Sequence, residues 1–278
     1  MILLHARYVR PYRRRNKTDS NDCDAILEAA RCQGIHPVPV KTHEQQQVQQ
    51  LHGLRETWKK SRTQRINLLR GVLREAGIEA PTGTLAFIRA ASELVDRPEL
   101  APLSHQLHIV LAEINLYEQC MAECEQQLKR WHAEDEIVRK LDEVSGIGVL
   151  TATALKAAVG QPERFASGRH LSAWLGMTPR EYSSGNSRKL GHISRQGNVY
   201  LRTLLIHGAR AALLAAQRCQ AKTPERMTAL QRWATQTAAR IGHNKAAVAL
   251  ANKMVRICWS VWCHERRFSG NWQSTLPV

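Results

Sequence analysis

The most regular apolar spacing in the chain runs through Leu103, Leu107, Val110, Ile114, Tyr117, Met121, Cys124, Leu128 and Trp131, in alternating steps of four and three. That period is a heptad seam, and it predicts one long helix with Glu113, Glu118, Glu123 and Glu125 turned to water. A seam requires a covering helix. Either residues 43–76 fold back as a hairpin or the same helix of a second subunit covers it, and spacing does not choose. Residues 43–76 mix Gln, Arg and Lys with Val48, Leu51, Leu54, Trp58, Leu69 and Val72, which predicts an amphipathic helix with a basic outer face. A break at Pro81-Thr82-Gly83 precedes a short helix over 84–96. Further helices are predicted over 198–217, 227–240 and 245–265, punctuated by Pro224 and Gly242. The last is apolar around much of its circumference (Val248, Leu250, Met254, Val255, Ile257, Trp259, Val261) and reads as the central core helix. At the other end, Ile2-Leu3-Leu4 reads as a strand feeding a cationic loop with Arg7, Arg10, Arg13, Arg14 and Arg15. Thr18 or Asp19 then caps a helix to about Arg31, and a connector stiffened by Pro37 and Pro39 follows.

The chain has 278 residues and a formal charge of +16, so a polyanionic partner is the first inference. Eighteen consecutive apolar residues occur nowhere, and 201–216 is interrupted by Arg202, His207 and Arg210, which points to a soluble, cytoplasmic protein with no membrane partner. Seven cysteines without Cys-x-x-Cys spacing read as reduced, mostly buried thiols; Cys120 and Cys124, one helical turn apart, are the nearest approach to a metal half-site.

The chemistry gathers in residues 176–202, GMTPREYSSGNSRKLGHISRQGNVYLR. Its Tyr182–Ser187 segment cannot be a regular helix or core strand, because glycine supplies positive φ and Ser and Asn compete for backbone hydrogen bonds. A hydroxyl held there is exposed. Arg180, Arg188, Lys189, Arg195 and Arg202 stand around it as phosphate ligands and as donors to charge developing on an attacked phosphodiester. Two readings stay open on residue types alone: a serine nucleophile, or a phosphate clamp without chemistry. His192 is a base or only a loop histidine.

Two other places carry candidate function. Asp19 and Asp22 share a helix face at i,i+3 and together suit a Mg²⁺ ion, although acids in a first helical turn also simply complement the helix dipole; Asp24 points away from both. Val144-Ser145-Gly146-Ile147-Gly148, followed by Leu150–Leu155, resembles one helix-hairpin-helix unit, with Gly146 and Gly148 letting backbone amides approach a phosphate.

Gly146-Ile-Gly148, Phe165, the Leu-Ser-Ala-Trp-Leu-Gly-Met-Thr-Pro-Arg run, Tyr-x-Ser-Gly and Gly-His-Ile-Ser-Arg-Gln-Gly-Asn-x-x-Leu-Arg occur in that order over 141–217. Together they resemble the C-terminal domain of the Piv-like DEDD insertion-sequence transposases. That resemblance implies that Ser184 is the nucleophile that joins to DNA. Lys17-Thr18-Asp19-x-x-Asp22 resembles the end of the same family's RuvC-like domain, which implies metal-ligating roles for Asp19 and Asp22. By its place before the helix start, the basic run Arg13–Lys17 reads either as a phosphate contact, Lys17 included, or as a partner for the acids that follow. The family's other two acids lie on earlier strands, whereas the eighteen residues before Asp19 contain none, so a shortened member with half of the metal site is expected. The expected architecture is mainly α: a RuvC-like α/β remnant (1–40), a coiled-coil spacer (41–135), an all-helical transposase domain with a helix-hairpin-helix-like element (136–268) and a tail (269–278). The resemblance further implies Mg²⁺, insertion-element and target DNA, a homo-oligomer (dimer or tetramer) and, for some members, a structured guide RNA. The rival expectations are a non-catalytic nucleic-acid-binding protein and a coiled-coil oligomerisation protein.

Overall fold

The computed structural model describes residues 2–14, 16–35 and 37–271, so Met1, Arg15, His36 and most of the expected tail, 272–278, lie outside the described residues. Helices make up most of the structure, with one two-stranded sheet among the described residues. The chain divides into two compact units, 1–46 and 47–278.

In the first unit the expected strand at 2–4 is reduced to a single antiparallel bridge, with the Val38 amide donating to the Leu3 carbonyl at 2.7 Å. The expected cationic loop is helical instead. Helix α1 (Ala6–Val9), capped by His5, runs into a 3-10 turn at Arg10–Tyr12, where Pro11 presets φ and supplies no amide that would need a partner. Helix α2 (Asp19–Arg31) begins where predicted, because the Thr18 hydroxyl accepts the Asn21 amide at 3.3 Å. It buries only Ala25 and Ala29, while Ile26 and Leu27 stay half exposed. The long helix α3 (His43–Glu75) starts at a reciprocal capping box: the Gln45 amide donates to the Thr42 hydroxyl at 3.2 Å, and the Thr42 amide to the Gln45 side chain at 3.0 Å.

In the second unit, α4 (Thr84–Val95) and α5 (Ser104–Glu134) complete the spacer. Leu107, Leu111 and Ile114 of α5 form one apolar cluster with Ile66, Leu69 and Leu73 of α3 and Phe87 and Ala91 of α4. Arg55, Arg62 and Arg65 of α3 pair with Glu125, Glu118 and Glu113 of α5, so residues that ascend on one helix meet residues that descend on the other. The helices are therefore antiparallel, and the seam is covered by α3 of the same chain. Leu103, the first predicted seam residue, is 48% exposed in the 3-10 segment Pro98–Leu103, and Leu111 is buried in the register instead.

The C-terminal part holds α6 (Glu136–Asp142), α7 (Val149–Val159), α8 (Gly168–Trp174), strands β1 (Pro179–Glu181) and β2 (Leu190–Ile193), then α9 (Val199–Lys222), α10 (Ala229–Ile241) and α11 (His243–Cys263). The expected all-helical domain thus contains an antiparallel hairpin. Helix α11 is central as expected and packs against α6, α8, α9 and α10. Helix α9 is long and apolar enough to cross a membrane by composition, yet Leu201, Leu205, Ala209, Leu213 and Ala216 lie in the domain core. All seven cysteines are free, but only Cys124 and Cys258 are buried, fewer than expected.

Candidate nucleic-acid interface

Residues 177–194 leave the core, turn in solvent and return. At the foot, Met177 is buried and its carbonyl accepts from Asn252 Nδ2 at 3.1 Å. Two glycines permit a very close backbone approach there. A Cβ on Gly176 (φ +70) would fall 2.0 Å from the Gln196 carbonyl oxygen, and one on Gly197 (φ +80) 2.1 Å from that of Trp174. Between these segments lies Arg202, whose Nη1 donates to the carbonyls of Leu175 at 3.1 Å and Gln196 at 2.9 Å. Arg202 is buried, and burial first, then the charge of Arg195, lowers its guanidinium pKa. The residue predicted as a phosphate ligand is thus a brace beneath the hairpin.

Strands β1 and β2 pair Pro179 with Ile193 and Glu181 with Leu190, with a bulge between them. At the tip Ser184 and Ser187 exchange both backbone hydrogen bonds, at 3.2 and 3.1 Å, around Gly185 and Asn186. Gly185 has φ +54 and Asn186 does not share the positive sign, the arrangement of a type II′ turn. The polar composition that excluded a core strand therefore encodes an exposed hairpin.

Strand alternation separates the side chains of the tip. On one face Ser183 donates to Glu181 Oε1 at 2.7 Å and accepts the Lys189 amide at 3.2 Å, while Arg188 lies 3.4 Å from the same carboxylate oxygen. The other face carries Tyr182, Ser184, Ser187 and Lys189. Among the described residues the Ser184 hydroxyl has no hydrogen-bond partner, and the residue is exposed. Arg180 donates to the Ser194 carbonyl at 3.2 Å and remains exposed, as does Arg195, a non-glycine residue at φ +56. The hairpin thus places Lys189 on the Ser184 face near the tip and Arg188 on the opposite face against Glu181, while Arg180 and Arg195 lie toward the foot, where Arg180 holds the Ser194 carbonyl and the Arg195 amide the Gly176 carbonyl.

Gly146 has a packing explanation. A Cβ there would lie 2.7 Å from the Gly208 carbonyl oxygen, and one on Gly208 only 1.8 Å from that of Gly146, so the two glycines let the turn before α7 press onto α9. Gly148, which begins α7, is exposed. In the first unit Lys17 and Asp19 are exposed, and Asp22 pairs with Arg13 Nη1 at 3.3 Å. Among the described residues no three His, Cys, Asp or Glu side chains gather as a metal site. The two aspartates by themselves do not fit a complete Mg²⁺ site.

Sequence reasoning passed over Glu181, the only acid of 176–202, and Gly208, a glycine inside a helix; both were visible as exceptions to their surroundings.

Residues 138–224 match the transposase IS116/IS110/IS902 family, and residues 2–78 match the DEDD transposase domain of IS110. A probable family 20 transposase of Pseudomonas aeruginosa is 38% identical over 267 residues, 95% of this chain and 77% of the relative. The transposase for insertion sequence element IS1111A of Coxiella burnetii is 38% identical over 96% of this chain and 72% of its own length. That for IS1328 of Yersinia enterocolitica is 34% identical over 96% and 78%.

Proposed function

Because the chain belongs to the IS116/IS110/IS902 family of transposases, we propose that it cuts and rejoins insertion-element DNA through a covalent intermediate on Ser184. Membership implies DNA binding and a divalent metal. The observation that carries the serine reading is the hairpin tip, where a glycine turn holds Ser184 with its hydroxyl unengaged, on the same face as the exposed Lys189. Attack of Oγ on phosphorus forms a phosphoserine ester and breaks the bond to a deoxyribose oxygen, which leaves as a hydroxyl with the proton balance unchanged. Lys189, on the Ser184 face, stabilises the charge that develops on the phosphoryl oxygens, while Arg180, held nearer the foot by the Ser194 carbonyl, contacts a flanking phosphate.

Asp19 and Asp22 would offer two carboxylates to the metal, and Asp22 is already engaged with Arg13. A homo-oligomer, a structured guide RNA and a cytoplasmic setting belong to the same proposal. Its support for the oligomer is the family alone, since α3 already covers the α5 seam. A binding role without chemistry is the second reading, favoured by the Arg13–Asp22 pair.

The test is Ser184→Ala incubated with element-end DNA and Mg²⁺, then run on a denaturing gel. The covalent adduct should vanish, while DNA affinity changes less than about twofold, because several cations dominate binding. An adduct that persists in Ser184→Ala and is lost in Ser183→Ala moves the nucleophile to the hydroxyl held by Glu181. Loss of affinity together with the adduct makes the loop a clamp.

A further inference from the structure

We propose that Trp174 and Arg164 form a stacking platform for an unpaired base of the DNA strand handled by the adjacent hairpin. Trp174, the last residue of α8, keeps 37% of its surface in solvent although it adjoins the buried Leu175. Its indole is not a loose surface aromatic. Phe165, nearly buried, meets it at a centroid distance of 5.7 Å and an interplanar angle of 60°. The Arg164 guanidinium lies 4.6 Å from the Phe165 centroid and 5.2 Å from that of Trp174. One aromatic thus anchors the indole from below, and a cation sits against both rings.

That combination suits a nucleotide. Every base has a π face, so stacking on an indole accepts any sequence, and a neighbouring guanidinium attracts the flanking phosphate. His170, one helical turn before Trp174, and Arg169 add exposed donors on α8. The platform is also fixed to the serine hairpin: the Trp174 carbonyl closes on Gly197, the Arg195 amide donates to the Gly176 carbonyl at 3.0 Å, and Arg202 ties Leu175 to Gln196. A base within a duplex is already stacked on its neighbours, whereas strand cleavage and exchange leave bases without partners. The occupant is therefore a nucleotide of single-stranded DNA at the foot of the hairpin, on the strand whose cut end the tip handles. The inference rests on the reading of the hairpin as a DNA-binding site.

The experiment titrates the full chain with two DNAs of equal length and sequence, one fully paired and one carrying a run of unpaired thymines, over a range of salt. Trp174→Ala should weaken binding of the partly unpaired DNA by about 5- to 100-fold while paired duplex moves less than twofold, and Trp174→Phe should retain most of the affinity. Equal losses on both DNAs, or unchanged affinity for the partly unpaired one, overturn the platform. Tighter, Trp174-dependent binding of an unpaired ribonucleotide run overturns DNA as its occupant. A wild-type chain that binds neither DNA with steep salt dependence removes the hairpin reading itself, an outcome distinct from normal duplex binding with a silent Trp174→Ala. Circular dichroism of both variants guards against misfolding.

Discussion

Arg195 and Arg202 flank the exit of the hairpin with the same charge and opposite roles. Arg202 sits inside, where removing it strands the carbonyls of Leu175 and Gln196 and loses two charge-assisted hydrogen bonds. Arg202→Ala should therefore cost on the order of 2–4 kcal/mol, read as a fall in the urea midpoint. Arg195 stands outside in a left-handed conformation that glycine adopts without strain. In Arg195→Gly the relief of strain and the greater freedom of the unfolded chain oppose each other, so stability should barely move. DNA affinity should fall, with the slope of log K against log salt shallower by about one. Stability and salt slope responding the other way round would exchange the two roles. Residue type made both arginines legible as phosphate ligands. What hid the brace is that its partner, Leu175, lies far back in sequence, at the end of another helix.

Period was the strongest signal at the scale of elements, and it is also where the sequence ran out. Alternate steps of four and three announced that one face of 103–131 is covered, but periodicity carries no information about what covers it. The three arginine–glutamate pairs to α3 answer that question inside the chain. The hairpin escaped for a different reason. Its strands hold three and four residues and are exposed save for the half-buried Ile193, so no alternation of apolar and polar positions marks them. Ile114, which is 1% exposed between α3, α4 and α5, separates the two ways of covering the seam. Ile114→Asp places a carboxylate in that cluster and should lower helicity and remove several kcal/mol of stability. Retained helicity with a smaller mass in sedimentation would instead assign the seam to a second subunit.

Across the second unit as a whole, the spacer and the C-terminal helices meet at one buried polar chain. His52 of α3, 4% exposed, lies 3.1 Å from Thr153 Oγ1 of α7 through Nε2 and 3.0 Å from the Tyr200 hydroxyl of α9 through Nδ1. Thr153 spends its own proton on the Val149 carbonyl at 2.7 Å, so it accepts from His52 Nε2–H, and Nδ1 then accepts from Tyr200. Every polar group of the chain is satisfied only while the ring is neutral. Burial first, and then the charge of Arg55, depresses the His52 pKa to about 4; Arg55, Glu56 and Glu125 are the charged groups that also act on Tyr200. A histidine whose folded pKa lies below its unfolded value of about 6.5 binds fewer protons folded than unfolded between those two values. Its contribution is therefore complete above pH 6.5 and is lost as pH falls toward 4. At pH 5 the loss amounts to about 2 kcal/mol. His52→Gln keeps hydrogen-bonding groups at the position without titrating there, so it should be less stable than wild type at pH 7.5 and close most of that gap by pH 5. The measurement is a urea midpoint for each protein across that range; parallel curves would show that the unit does not depend on the neutral ring.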